Sequence, residues 1–305
     1  MKSNQKIEKD ALFVFGNSSD GVIGIPALTE DGHVVEASCF YGDAKPKHIV
    51  VISSQVGCPM RCSFCELGGV RRRRNLTAAE MAGQVSLVMT EASRQGLNFS
   101  AAPYKVTVAN SGEPLLNPNL IGALERIAGP RVSFKISTVF PSSSKALRNL
   151  EKLACFARVY SQPVQLQISL ISTVDSVRRK VVGANVGTMR QIRDAGDKWR
   201  RLNPGGRKIN LSLIVTDAMP CDPQDTLKLL PPELFRFRFR EYVPTFQGQS
   251  HGHGEVTPER LRRLKDDFAA NGYEVSDWAS PTATERRFGL ASNAIRRMYL
   301  EVTRN

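Results

Sequence analysis

The spacing of apolar and polar positions changes near residue 48 of the 305-residue chain. Ahead of that point, the short runs ALFVF, VIGIPAL and HVVEASCF are separated by the turn-forming stretches GNSSDG and TEDG. This pattern predicts a short N-terminal β-hairpin region. From His48 onward, compact apolar runs alternate with longer segments whose apolar residues recur every three or four positions. The strands predicted there are HIVVISS from His48, YKVTVAN from Tyr104, RVSFKIS from Arg131, PVQLQISL from Pro163, KINLSLIV from Lys208 and FRFREYV from Phe237. Helices are predicted over LTAAEMAGQVSLVMTEASRQG, NLIGALERIAG, SSKALRNLEKLACF, NVGTMRQIRDAGDKWRRL, DTLKLLP and TPERLRRLKDDFAANG, with one more short strand near Tyr273. Thr77 and Glu80 have the spacing of a capping box, which should fix the start of the first helix.

Strand and helix in alternation, six times over, point to an α/β chain folded as a partial (β/α)6 TIM-like barrel. The expected organisation is a β-hairpin extension at 1–47, the barrel core at 48–250, and a C-terminal helix and strand extension at 251–305 that closes the barrel. Parallel βα sheets carry their chemistry at the carboxyl ends of the strands, where the loops converge. The informative residues follow that rule. A cysteine-bearing loop follows the first strand and SGEP the second, while Ser137 ends the third and Ser169 the fourth.

Composition is that of a globular protein, with 41% hydrophobic and 23% charged residues. No apolar stretch approaches the roughly 20 residues that span a bilayer, and MKSNQKIEKD lacks the apolar segment of a signal peptide, so the expected location is the cytoplasm. Lysine and arginine outnumber aspartate and glutamate by 42 to 29, and the net charge of +13 favours polyanions or phosphorylated metabolites as partners. Only clustering gives such a charge direction, and Arg71, Arg72, Arg73 and Arg74 are the cluster.

The cysteines at 39, 155 and 221 are scattered and read as small buried hydrophobes, whereas SSQVGCPMRCSFCELGG gathers Cys58, Cys62 and Cys65 at CxxxCxxC spacing on a glycine-bearing loop. Three thiolates can hold three irons of a four-iron cluster and leave the fourth open. A structural zinc site wants four ligands, and only the distant His251 or His253 offers a fourth. The glycine-rich segment around those histidines reads as a mobile, solvent-exposed loop, with general acid–base chemistry as the alternative.

The motifs SSQVGC, CSFC, RNLTAAE, GQV and GEPLLN resemble those of the radical S-adenosylmethionine (radical SAM) adenine methyltransferases of large-subunit ribosomal RNA, the RlmN and Cfr group. The similarity runs from about residue 48 to about residue 245. It implies a barrel of the radical SAM type and a [4Fe–4S] cluster on Cys58, Cys62 and Cys65. It further implies an open iron that chelates S-adenosyl-L-methionine, and an electron donor such as flavodoxin or ferredoxin. Reductive cleavage would give a 5′-deoxyadenosyl radical that abstracts a substrate hydrogen. By the same resemblance, Phe64 shields the cluster and touches the adenine, and Glu113 accepts from the cofactor ammonium. Ser137 and Ser169 lie near the methionine or ribose, and Thr245 stands where the family has an asparagine that holds the ribose.

The chain departs from the pattern where methyl transfer is concerned. Val51 occupies the place of the family's resolving cysteine, seven positions before Cys58. No cysteine follows Cys221, so the methyl-carrying thiol has no counterpart; Ser292 lies near its position, with a hydroxyl that is a far poorer nucleophile. Ile171 replaces the family's histidine in ISLH, and about 47 residues before the core leave no room for the family's N-terminal helical domain. The expectation is an enzyme that keeps radical generation without the cysteine relay and acts on a nucleoside, nucleotide or other small metabolite. One alternative is modification of rRNA or tRNA, with the four arginines on phosphates. The other is a non-catalytic iron–sulfur scaffold or electron carrier.

Overall fold

The computed structural model describes residues 7–9, 15–17, 21–41, 48–97, 99, 102–183, 185–216, 219–277, 283, 286 and 294–303. Ser292 lies outside them. Two compact units emerge, one formed by Met1–Pro59, Val70–Ile136 and Pro281–Asn305, the other by Met60–Gly69 and Ser137–Ser280. No helix among the described residues is long and apolar enough to cross a membrane.

The first unit contains β1 (Ile7–Lys9), β2 (Phe15–Asn17), β3 (Val22–Thr29), β4 (Val34–Tyr41), β5 (His48–Ile52), β6 (Gln55–Val56), β7 (Arg74–Asn75), helix α1 (Ala78–Arg94), β8 (Tyr104–Val108), α2 (Leu120–Ile127) and most of β9 (Val132–Thr138). The predicted hairpin is β3–β4, closed by the turn at Gly32 with its φ of +75°. β4 then pairs antiparallel with β5, which starts the parallel run β5–β8–β9. Helix α1 begins where the capping box placed it, since the Thr77 hydroxyl accepts from the Glu80 N–H and the Glu80 carboxylate accepts from the Thr77 N–H. Its buried stripe of Met81, Val85, Val88 and Ala92 faces the core, as the periodicity required.

The second unit contains α3 (Ser144–Val159), β10 (Val164–Ser169), α4 (Asp175–Val182), α5 (Met189–Leu202), β11 (Ile209–Val215), α6 (Pro223–Leu229), β12 (Phe235–Glu241), α7 (Phe246–Ser250), α8 (Pro258–Ala270) and β13 (Val275–Asp277). Strands β10–β11–β12–β13 are parallel throughout. On β12, Phe235, Phe237 and Phe239 are buried, and Phe237 packs on Phe268 and Tyr273 with ring centroids 4.3 and 4.8 Å away. Gly196 lets α5 settle onto Phe235, because any Cβ there would collide with that ring.

All six predicted core strands are present in a mixed α/β fold with a largely parallel sheet. Among the described residues three helices escaped prediction: α4, α7 and a C-terminal helix at Ile295–Thr303. α4 has no side-chain cap and draws its stability from burying Arg178, Val181 and Val182. α7 is five residues long in a glycine-bearing segment. Cys155 differs from expectation too, being exposed on the side of α3 opposite Leu150 and Leu153.

Candidate active site

In the first unit the quoted motifs serve one another. The Ser54 and Gln55 N–H groups donate to the Ser111 carbonyl at 2.8 and 3.0 Å, which ties SSQ to SGEP. Gln55 then accepts from the Glu113 N–H at 2.9 Å and donates to Asn75 Oδ1 at 2.8 Å. The Asn117 amide donates to the carbonyls of Ser54 (2.7 Å) and Leu76 (3.0 Å), and Gln84 exchanges two hydrogen bonds with the Ser53 backbone. Gln55, Gln84 and Asn117 are the motif-holding residues that sequence reasoning passed over; their buried amides are the signal. Glu113 is 2% exposed, and its Oε1 accepts from the Leu115 N–H at 3.1 Å. Gly112, at φ +107°, brings this loop in so closely that a Cβ would sit 2.6 Å from Gln55 Cβ, so only glycine fits.

Cys58 is half-buried at the end of the same region, its N–H directed to the Val70 carbonyl at 3.4 Å. Arg71, Arg72 and Arg73 are exposed, but Arg74 differs from the expected phosphate clamp. Its guanidinium forks onto Asp31 (2.7 and 2.8 Å) and Glu80 (2.7 and 2.9 Å) because it lies against the cap of α1, where a buried carboxylate demands a cation. Arg74 in turn holds the Asp31 carboxyl well below the usual carboxylate range.

In the second unit the remainder of the cysteine loop is gripped from two sides. Cys62 is buried and Cys65 half-buried; the Cys65 N–H donates to the Cys62 carbonyl at 3.1 Å, and the Ser63 N–H to the Val181 carbonyl of α4 at 2.8 Å. From the other side comes the segment around α7. Thr245 caps α7 by accepting from the Gly248 N–H at 2.7 Å and donates to the Phe64 carbonyl at 3.1 Å. The Phe246 N–H donates to Glu66 Oε2 at 2.9 Å, and His253 Nε2 lies 2.7 Å from the Ser63 hydroxyl. His251 is exposed as expected, but His253 is half-buried, held between Ser63 and the Tyr242 ring. A Cβ on Gly248 would collide with the Tyr242 hydroxyl. Gly248→Ala is therefore expected to unseat α7 and raise amide hydrogen exchange at residues 62–68 by about tenfold or more, with β10–β12 amides unchanged.

Ser137 and Ser169 are half-buried at the ends of β9 and β10. The Ser137 hydroxyl accepts from Gln167 Nε2 at 3.3 Å, and the Ser169 carbonyl accepts from Arg178 at 3.4 Å. Arg61, Phe140 and Ile171 have φ of +54°, +62° and +68°, so three loops of this unit carry non-glycine residues in the left-handed region. Ile171, β-branched and buried, is the costliest of these.

Among the described residues, no three His, Cys, Asp or Glu side chains stand as a ready-made metal group. The donor chemistry nevertheless singles out the loop. Burial pushes the thiols of Cys39 and Cys221 up to about 12, which keeps them protonated and poor as ligands, and Cys155 stands alone on a helix surface. Cys58, Cys62 and Cys65 remain, three soft donors on one loop with no fourth cysteine nearby, a set that fits a four-iron cluster with an open corner.

Over 290 residues the chain is 28% identical to the protein named Dual-specificity RNA methyltransferase RlmN of Cereibacter sphaeroides, which covers 88% of this chain and 67% of that one. The protein of the same name from Syntrophobacter fumaroxidans is 28% identical over 294 residues, covering 89% and 82%. The chain is thus similar over most of its length to RlmN-type enzymes, and it resembles the RlmN/Cfr-like radical SAM group. The radical SAM fold itself is seen in a crystal structure of a radical SAM methyltransferase from Sphaerobacter thermophilus. It superposes with a TM-score of 0.74 at 21% identity over 92% of this chain and 78% of the other. No protein-family model matches the sequence.

Proposed function

We propose that this radical SAM enzyme modifies RNA, using a [4Fe–4S] cluster held by Cys58, Cys62 and Cys65 and S-adenosyl-L-methionine as cofactor. The cluster, when bound, supplies the electron that splits the sulfonium to a 5′-deoxyadenosyl radical. Glu113, fixed by Gln55 and the following turn, accepts from the cofactor ammonium. Ser137 and Ser169 offer hydroxyls or backbone to the methionine or ribose from the strand ends. Phe64 would lie against the adenine, its backbone steadied by the hydrogen bond from Thr245, so Thr245 would act on the cofactor through the loop as well as from its own position. Flavodoxin or ferredoxin is the electron donor, and the enzyme works in the cytoplasm.

The observation that carries RNA as the substrate is the similarity, over 88% of the chain, to proteins named as RNA methyltransferases. The net charge of +13 and the exposed Arg71, Arg72 and Arg73 support it. Methyl relay through two cysteines is not part of the proposal, because Val51 has no nucleophile and no thiol follows Cys221. That departure favours a second reading, a free nucleotide or other small metabolite as substrate. Anaerobically reconstituted enzyme, reductant and S-adenosyl-L-methionine incubated with ribosomal or transfer RNA should yield 5′-deoxyadenosine together with a mass-shifted nucleoside in the digested RNA. Cofactor cleavage with every RNA nucleoside unchanged would transfer the proposal to the small-substrate reading.

A further inference from the structure

Strand β12 reads FRFRFRE, a strict alternation of aromatic and cationic residues. Its phenylalanines point into the packing against α8 and β13, so Arg236, Arg238 and Arg240 emerge together on the opposite face, each half-buried. The parallel register places them among polar neighbours. Gln167, Asn210 and Arg236 form one row across β10, β11 and β12, and Ser169, Ser212 and Arg238 form the next row toward the carboxyl ends. Paired residues of a parallel sheet share a face, so Arg238 lies in the row of Ser169, two strand spacings or roughly 10 Å away. Arg240, one step further, pairs with Ile214.

Alternate residues on one strand are roughly 7 Å apart, close enough for neighbouring guanidinium groups to repel on a half-buried face. Arg236, at the amino end, donates to Asn210 Oδ1; the Glu274 carboxyl is held below its ordinary range chiefly by its hydrogen bond from Lys208, with a lesser contribution from the charge of Arg236. At Arg238, burial and the like charge of Arg236 both press the guanidinium below its ordinary value.

Resting on the reading of a nucleotide-containing substrate, we propose that Arg238 and Arg240 form a phosphate-binding wall on the polar face of β10–β12, beside Ser169. Two planar guanidinium groups on one side offer several N–H donors to a tetrahedral oxyanion, and their paired charge matches a phosphate. The wall would hold a substrate by its phosphate next to the row in which cofactor chemistry is proposed. The phosphate belongs either to a free nucleotide or to a nucleotide within RNA.

Calorimetry on the full-length chain, with adenosine 5′-monophosphate and adenosine as probes, tests this without any variant. The monophosphate should bind at least about tenfold more tightly, and equal affinities would overturn the proposal. Arg238→Gln and Arg240→Gln should each weaken the monophosphate about tenfold and leave adenosine unchanged, with Arg238→Lys recovering part of the loss. If those variants bind the monophosphate as wild type does, while Arg72→Gln weakens it, the phosphate site is elsewhere and the wall is refuted. A short single-stranded oligoribonucleotide separates the two sources: a parallel loss of its binding in Arg238→Gln assigns the wall to RNA, and a loss confined to the monophosphate assigns it to a free nucleotide. Binding requires no cluster, so iron content and 5′-deoxyadenosine formation test the radical SAM reading independently.

Discussion

Arg178→Met is expected to destabilise the protein by about 3–4 kcal/mol, the largest effect anticipated for any residue outside the cysteine loop. Arg178 is 0% exposed, and its guanidinium donates to the carbonyls of Val139 (3.3 Å), Ser169 (3.4 Å), Leu170 and Gly187 (3.4 Å). These carbonyls belong to the loops after β9 and β10 and the approach to α5, so one side chain ties three segments together. Methionine keeps much of the volume and supplies no donor, which leaves buried acceptors unsatisfied at about 1–3 kcal/mol each, partly offset because a buried charge also disappears. Burial pushes the guanidinium down to about 10, with the charges of Asp175 and Cys62 pulling it back up. The folded value lies below the unfolded one, so the penalty of burying this cation is fully present at neutral pH and fades only as pH rises past about 10. The Arg178→Met deficit in urea unfolding should therefore be constant from pH 6 to 9. A deficit below about 1 kcal/mol would mean that water or other donors already serve those carbonyls.

The parts of this fold that were legible in the sequence are those whose signals are local. The runs from His48, Tyr104 and Pro163 read as strands because their apolar residues are contiguous and bounded by turn formers, and α1 read as a helix because Thr77 and Glu80 announce its first turn. α4 was hidden because STVDSVRRKVV is rich in β-branched residues and its start carries no cap; what makes it helical is the buried anchorage of Arg178, a tertiary effect. α7 was hidden for a related reason, since five residues cannot sustain a helix without the contacts that Thr245, Phe246 and His253 make with the cysteine loop. The arginine wall, by contrast, was written plainly in FRFRFRE. What the run alone lacks is its neighbours, because the register across β10 and β11 is what sets Arg238 in the row of Ser169.

The same distinction applies to the site. Type and spacing made Cys58, Cys62 and Cys65 candidates, and position after a strand together with the family resemblance made Glu113 one. Neither could show how the loop is held, because that depends on residues nearly 200 positions away: His253 reaches Ser63, and Thr245 reaches Phe64. A loop that would present three sulfurs to the proposed cluster would gain from being fixed before the metal arrives, since second contacts orient the ligands. Arg61, with φ of +54°, puts a non-glycine residue in the left-handed region immediately before Cys62.

Cys62→Ala should abolish iron–sulfur loading, and Cys58→Ala and Cys65→Ala should each do the same. With three protein ligands and one open iron, losing a ligand leaves two thiolates for a four-iron unit, too few to retain it against chelation. Bound iron in the reconstituted protein is expected to fall from about four atoms per chain to below about a tenth of that, and 5′-deoxyadenosine formation to background. The informative controls are Cys155→Ala and Cys221→Ala, which should load as wild type does. Cys155 is an isolated surface thiol, and the Cys221 thiol, pushed up to about 12 by burial, stays protonated where a ligand must ionise. Iron analysis and absorbance of anaerobically reconstituted samples decide the matter. Full loading in Cys62→Ala, or loss in Cys221→Ala, would place the metal on a different set of sulfurs and remove the basis for radical chemistry at this loop.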